Sequence, residues 1–198
     1  IRVNTLKITT DAIKKQLKLK NISVEDIPYI QEGLSIKTGA DTLFSEFLQT
    51  GLLYVQTASS MIPAKVLGPD AGDHVLDMCA APGSKTTHIA ALMGNRGSID
   101  AWDVYPHKVK LIKDNAKRLG ISIIHTEVRD SVKPLPFLYE TYDKVLLDAP
   151  CSGLGVLGHK VELRWRRKES DLSVFPPLQK QLIEQAAKYT KTGGVLVY

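Results

Sequence analysis

Asp148 and Cys151 stand three residues apart at the end of an apolar run, in Leu146-Leu147-Asp148-Ala149-Pro150-Cys151-Ser152-Gly153. A thiol beside a carboxylate suits nucleophilic catalysis: the sulfur adds to an electrophilic carbon and the carboxyl group neutralises the charge that develops. A plainer reading of Cys151 also stands, because free cysteine is often a small buried residue. A second run, Asp77-Met78-Cys79-Ala80-Ala81-Pro82-Gly83-Ser84-Lys85-Thr86-Thr87-His88, follows the strand-like Val75-Leu76 and opens a helix-like segment from Ile89 to Met93. A strand, a turn of small residues and a helix N-terminus make a site for a nucleotide-like ligand. Small side chains let the ligand reach the backbone, and the free N–H groups of the helix start face it.

Two further carboxylates follow strand-like runs. Asp103 lies 18 residues after Lys85, where it can accept hydrogen bonds from both hydroxyls of a ribose. Val104 can pack on a base, and Asp130 can reach a base amino group. A single Asp at a strand end is as readily a cap or turn former; Asp103, Asp130 and Asp148 at three successive strand ends favour a ligand. The dinucleotide pattern Gly-x-Gly-x-x-Gly is absent from the first turn. Gly83-Ser84-Lys85-Thr86 resembles the tail of a phosphate loop, but Met78 holds the place of its upstream glycine.

These residues need a scaffold that brings strand ends together. From Asp73 onward, strand-like and helix-like segments alternate. The strand candidates are His74 to Met78, Gly97 to Asp103, Ser122 to Thr126, Asp143 to Asp148 and Gly194 to Tyr198. The helix candidates are Lys85 to Met93, Pro106 to Leu119 and Pro177 to Thr190. Such alternation implies a parallel sheet with helices on both faces, and ligands of such sheets bind at the carboxyl ends of the strands. Residues 1–55 read as a small α+β unit. It has a strand over Arg2 to Ile8, a helix started by Thr9-Thr10-Asp11, and short strands around Val24 to Ile30 and Leu34 to Ile36. A bridging helix, capped by Ser59 or Ser60, is expected to stop near Gly68-Pro69.

The motif pair Ala80-Ala81-Pro82-Gly83-Ser84-Lys85-Thr86 and Asp148-Ala149-Pro150-Cys151-Ser152-Gly153, in this order, resembles the RNA cytosine-5 methyltransferases of the Sun/Fmu and NSUN type. Arg2-Val3-Asn4-Thr5-Leu6-Lys7 and Tyr54-Val55-Gln56 are similar to that family's entry and bridging segments. Arg164-Trp165-Arg166-Arg167 is closest to its bacterial 16S ribosomal RNA branch. The resemblance implies an α/β fold, a Rossmann-like class I methyltransferase core over residues 56–198 preceded by a small α+β, RNA-binding-type domain over 1–55. It implies S-adenosylmethionine as cofactor, held by Cys79, Ala80, Ala81, Pro82, Gly83, Ser84, Lys85, Asp103, Asp130 and Asp148. Ser84 departs from the family's usual glycine, a change that matters only if the position needs a positive φ.

Cytosine carbon 5 is a weak nucleophile. Thiolate addition at carbon 6 makes it an enamine, and an acid near ring N3 and the exocyclic amine assists. In the family the nucleophile comes from a Thr-Cys motif just after the fifth strand, and the position of Cys151 assists product release. The chain stops at Tyr198 within that strand, so the main nucleophile and the last strands of the sheet are expected beyond it. The chain as given is expected not to turn over. Asp148 is the expected acid.

His159-Lys160 and Arg164-Trp165-Arg166-Arg167-Lys168 fall in the loop leaving the catalytic strand. Trp165 can stack on a base while Arg164, Arg166 and Arg167 bind phosphates. On residue chemistry alone, a solvated basic loop with Trp165 packed inward is equally compatible; the resemblance favours substrate binding. The net charge of +5 points weakly to a polyanion such as RNA. With 43% hydrophobic and 24% charged residues the composition is globular, and no apolar run approaches the ~20 residues that span a bilayer. Two cysteines in separate motifs suggest no disulfide and a reducing cytoplasm. The histidines show no ligand spacing, and no metal is expected.

The reading is thus cytosine-5 methylation of RNA, 16S ribosomal RNA before transfer RNA. A non-catalytic, cofactor-binding RNA scaffold is the alternative from another class.

Overall fold

The computed structural model describes residues 1–39, 44–153, 165 and 171–198. Two sheets organise it. A four-stranded antiparallel sheet is built from β1 (Arg2–Val3), β2 (Ser23–Ile27), β3 (Ile30–Thr38) and β4 (Leu53–Tyr54), in the order β2-β3-β1-β4. A five-stranded parallel sheet is built from β5 (His74–Asp77), β6 (Ser98–Asp103), β7 (Ile124–Val128), β8 (Tyr142–Leu146) and β9 (Thr190–Val197), in the order β7-β6-β5-β8-β9. The helices are α1 (Thr10–Leu19), α2 (Phe44–Gln49), α3 (Ala58–Leu67), α4 (Ser84–Leu92), α5 (Pro106–Leu119) and α6 (Asp171–Tyr189).

Alternation along the strands fills two cores. Val75, Ile99 and Leu146 pack with Ala64, Leu67, Ile89, Met93, Ala116 and Leu119 of α3, α4 and α5. The neighbouring Leu76, Trp102 and Val145 pack with Leu182, Ala186 and Tyr189 of α6. Helices therefore cover both faces, as the alternating pattern implied. A third core joins Val3, Ile13, Leu17, Leu34 and Leu53 beneath the antiparallel sheet. None of the described helices is long and apolar enough to cross a membrane.

Several elements differ from the sequence reading, each for a local reason. The first strand ends at Val3 because Asn4 turns the chain. Its side chain accepts from the Leu6 N–H at 3.3 Å and donates to the carbonyls of Gly51 and Leu119 at 2.8 and 2.9 Å. Thr57, rather than Ser59 or Ser60, caps α3, accepting from the Ser60 N–H at 3.4 Å. The third parallel strand begins at Ile124 instead of Ser122, whose N–H bonds Asn95 Oδ1 at 3.0 Å. The fifth begins at Thr190, with an irregularity between its pairing at Tyr142 and at Lys144. Helix α6 starts at Asp171 and runs through Pro176 and Pro177, where two prolines had suggested a start. Helix α5 has the anticipated bounds, set by Pro106 at its first position and Gly120 in the left-handed region after its end.

Candidate active site

The turn after β5 is fixed by bonds to its neighbours. The Met78 N–H donates to Leu146 O of β8 at 3.0 Å, and the Ala80 N–H donates to Trp102 O of β6 at 2.8 Å. The Gly83 N–H closes the turn on Ala80 O at 2.7 Å. Gly83 has φ 96°, and a β-carbon built there lies 3.2 Å from Ile112 Cα. Ser84 is the first residue of α4 and has no positive φ, so serine is accommodated without backbone strain. Gly83→Ala is therefore expected to destabilise the fold by about 1–3 kcal/mol, through left-handed strain and displacement of α5. Ser84→Gly should cost under about 1 kcal/mol. Denaturant midpoints at constant slope compare the two.

A cavity of about 260 Å³ opens at the carboxyl ends of β5, β6 and β7. Cys79, Asp103, Val104, Asp130 and Pro150 line it, so four of the strand-end loops singled out in the sequence meet there. Asp103 is buried, and its Oδ1 accepts from the Tyr105 N–H at 3.0 Å. Asp130 Oδ1 accepts from the Val132 N–H at 3.2 Å. Both carboxylates shape their own turns and line the cavity. Its size lies just under the ~300–1,000 Å³ of small-molecule sites. Its lining combines the two carboxylates with Lys108, Arg129 and apolar walls.

Asp148 lies two residues before Pro150. Its Oδ2 accepts from Lys85 Nζ at 2.5 Å, with the lysine side chain mostly buried and the carboxylate half-exposed. The sequence put both residues in one site without pairing them. Of the residues expected to hold the cofactor, Cys79, Asp103 and Asp130 line the cavity, whereas Ala80, Ala81, Pro82, Gly83, Ser84, Lys85 and Asp148 do not. Cys151 is an exposed free thiol and Cys79 a half-buried one, whose proton burial pushes up to about 12, with the charges of Asp77, Asp103 and Asp148 adding to the effect. Cys79 is thus no nucleophile at neutral pH.

Other residues of the site carried no sequence signal. Arg129 lies over Trp102, 5.2 Å from the ring centroid, and lines the cavity. Ser131 Oγ donates to Met78 O at 2.7 Å and ties the β7 loop to the cofactor-type turn. Leu178 and Leu182 of α6 form an apolar wall; their four-residue spacing is the one clue the sequence offered. Trp165 is 86% exposed, not packed inward. Arg164, Arg166 and Arg167 lie outside the described residues.

Asp77 sits fully buried beneath the turn. Its Oδ2 accepts from Thr86 Oγ1 at 2.7 Å, and its Oδ1 has no partner among the described residues. Burial pushes its carboxyl up to about 7; the Thr86 hydrogen bond opposes this and the Asp148 charge adds to it. With its affinity for the proton raised in the folded state, Asp77 stabilises the fold fully below about pH 4 and loses that contribution as pH rises through 7. The difference in unfolding free energy between wild type and Asp77→Asn is expected to follow about one proton across this window. Urea titrations at pH 4.5 to 7.5 measure it, and a pH-independent difference contradicts it.

Comparison with known proteins shows the family. Residues 64–198 match the pattern of a family described as 16S rRNA methyltransferase RsmB/F. The chain is 39% identical over 199 residues to the probable ribosomal RNA small subunit methyltransferase B of Bacillus subtilis, covering all of this chain and 44% of that protein. A crystal structure titled as a methyltransferase homolog protein from Pyrococcus horikoshii superposes with TM-score 0.88 at 37% identity, over 100% of this chain and 62% of the other. NSun6 from Pyrococcus horikoshii, solved with SFG, superposes with TM-score 0.86 at 26% identity, over 100% and 74%. The chain spans less than half the length of the Bacillus relative.

Proposed function

This chain belongs to the 16S rRNA methyltransferase RsmB/F family, and from that premise we propose that it forms the cofactor site and part of the catalytic site of an S-adenosylmethionine-dependent enzyme that methylates carbon 5 of a cytosine in RNA. The proposed substrate is 16S ribosomal RNA, the target named for its relatives. The observation that carries the reading is the convergence of the strand-end loops: Cys79, Asp103, Asp130 and Pro150 share one cavity, and Asp148, paired with Lys85, lies two residues before Pro150.

In this reading residues 56–198 are the methyltransferase core and residues 1–55 an RNA-binding-type unit. Asp103 accepts hydrogen bonds from the ribose, Val104 packs on the adenine and Asp130 reaches its amino group. The turn from Cys79 to Lys85 presents its backbone. S-adenosylmethionine, when bound, supplies an electrophilic methyl group on a sulfonium. Asp148 is assigned the acid's part: its carboxyl group bonds the exocyclic amine and ring N3 of the target cytosine and neutralises charge developing there. Lys85 holds that side chain in place. Cys151 is exposed beside it, in the position for assisting product release. Trp165 offers an exposed ring on which a base can stack, worth ~1–3 kcal/mol, and Arg164, Arg166 and Arg167 are proposed to bind phosphates. The free thiols Cys79 and Cys151 suit a reducing cytoplasm.

The test is methyl transfer by the complete protein from methyl-labelled S-adenosylmethionine to unmodified 16S ribosomal RNA and transfer RNA, followed by digestion to nucleosides. Label in 5-methylcytidine from 16S RNA is the expected result. Label in transfer RNA alone moves the substrate, label in another nucleoside overturns the chemistry, and cofactor binding without transfer supports a scaffold.

A further inference from the structure

The turn that precedes α4 is held from two sides by residues the proposed chemistry does not use. Arg2 of β1 is 2% exposed although it carries a charge. Its Nη1 donates to Gln56 Oε1 and to Ser84 O, each at 2.6 Å, and its Nη2 donates to Thr87 Oγ1 at 2.9 Å. On the other side, Asn115 Nδ2 of α5 donates to Pro82 O at 2.9 Å. Asn115 is itself oriented by Arg118, whose Nη2 donates to Asn115 Oδ1 at 2.9 Å while its Nη1 donates to Leu48 O at 2.6 Å. The two arms meet at Tyr54. The guanidinium groups of Arg2 and Arg118 lie 5.0 and 5.4 Å from its ring centroid.

The acceptors are the carbonyls of the Pro82–Gly83 peptide group and of the Ser84–Lys85 peptide group. In a trans peptide the N–H points opposite its carbonyl. Arg2, by holding Ser84 O, fixes the direction of the Lys85 N–H. Asn115, by holding Pro82 O, fixes the Gly83 N–H in its bond to Ala80 O. Gly83 itself, at φ 96°, has no side chain with which to lock the turn. A further tie runs from the same antiparallel sheet to α4: His88 Nε2 and Glu32 Oε1 are 2.6 Å apart, both buried, and Lys65 reaches Glu32 Oε2 at 3.4 Å.

A buried arginine with hydrogen bonds this specific is costly for mere adhesion, because desolvating the charge offsets most of what the bonds return. A leucine in β1 would join the two sheets as well. What arginine adds is direction at the Ser84 peptide.

We propose that Arg2 and Asn115 are positioning residues for the cofactor turn, so that the antiparallel sheet preceding the methyltransferase core is a working part of the cofactor site. This rests on the reading of that turn as the S-adenosylmethionine site. The sheet acts through the Ser84–Lys85 peptide group and α5 through the Pro82–Gly83 peptide group, and neither Arg2 nor Asn115 lines the cavity. The Arg2 and Asn115 hydrogen bonds, rather than order in residues 1–54 at large, then set the geometry of the turn.

The test is titration calorimetry of S-adenosylmethionine into the 198-residue chain and its Arg2→Met, Arg2→Lys, Asn115→Ala, Leu17→Ala and Asp103→Ala variants, at a temperature where thermal scans show each to be folded. Arg2→Met and Asn115→Ala are each expected to weaken binding about tenfold, the usual size of an indirect coupling. Arg2→Lys should fall between wild type and Arg2→Met, since an ammonium can serve Ser84 O but not all three acceptors. Leu17→Ala removes a side chain of α1 from the core beneath the same sheet and should lower the melting temperature with affinity held within about twofold, because distant sites act independently. If Asp103→Ala weakens binding while Arg2→Met and Asn115→Ala bind as wild type does, the positioning proposal is overturned and the site reading stands. If Leu17→Ala weakens binding as much as Arg2→Met does, general stability accounts for the effect and the proposal is overturned too. If wild type does not bind, or Asp103→Ala binds equally well, the site reading itself fails. Should Arg2→Met not fold, Asn115→Ala decides, because Asn115 is only partly buried.

Discussion

Replacing Asp148 by alanine in the complete protein is expected to slow methyl transfer by about 10²- to 10³-fold, the usual consequence of deleting one group that stabilises developing charge. The expectation rests on where the carboxylate stands. Asp148 follows β8 by two residues, and Pro150, two further on, lines the cavity. Its side chain is half-exposed, so a substrate can reach it, yet Lys85 fixes it at 2.5 Å. Because the Lys85 side chain is mostly buried, removing its partner leaves a charge unpaired and is expected to lower stability as well. Rates are therefore compared at a temperature where thermal scans show the variant folded, at saturating cofactor and RNA. Asp148→Asn separates the contributions: it keeps the shape and a hydrogen-bonding group but cannot supply a proton or a negative charge. Single-turnover rates make the comparison. A rate within about threefold of wild type would remove Asp148 from the chemistry.

The second large effect is on binding. Asp103→Ala should weaken S-adenosylmethionine by about 1.5–3 kcal/mol, the worth of hydrogen bonds to a charged group, which corresponds to roughly 10- to 150-fold in Kd. Asp103 is the last residue of β6, buried at the cavity floor, with Oδ1 already accepting from the Tyr105 N–H. Its carboxylate is therefore pre-oriented, and little conformational entropy remains to be lost when a ribose arrives. Asp103→Asn should lose less than Asp103→Ala, since one acceptor oxygen remains. Calorimetric titration of both variants measures the loss, and affinities equal to wild type would show that the ribose sits elsewhere.

How much of this was readable from the residues depends on how local each signal is. Helix α5 was legible to the residue because proline and glycine punctuate it. The β5 turn, Asp103, Asp130 and Pro150 were legible because strand-end motifs report their own place in a parallel sheet. Interactions between distant residues were not. Lys85 and Asp148 are 63 positions apart, and Arg2 reaches acceptors 82 and 85 positions away. Nothing near Arg2 in the sequence marks it as buried; in a short strand it reads as a surface cation. Helix α2 and strand β4, with six and two residues, are too short to show a period. The cap of α3 was misplaced by two or three residues because Thr57, Ser59 and Ser60 are chemically equivalent as caps, and only the folded path chooses among them.

A unit that reads in sequence as an RNA-binding appendage also hydrogen-bonds the turn before α4, through Arg2 at Ser84 O, and α5 does so through Asn115 at Pro82 O. Catalytic loops at a sheet edge are precise only when packed supports hold them, and here the supports come from both sides of the turn.

The most direct measurement is a crystal structure of this chain with S-adenosylhomocysteine. The account predicts the ribose hydroxyls within hydrogen-bonding distance of the Asp103 carboxylate, the adenine between Val104 and the Asp130 loop, and the sulfur directed toward Asp148. A ligand bound away from this cavity, or a ribose with no contact to Asp103, would contradict it.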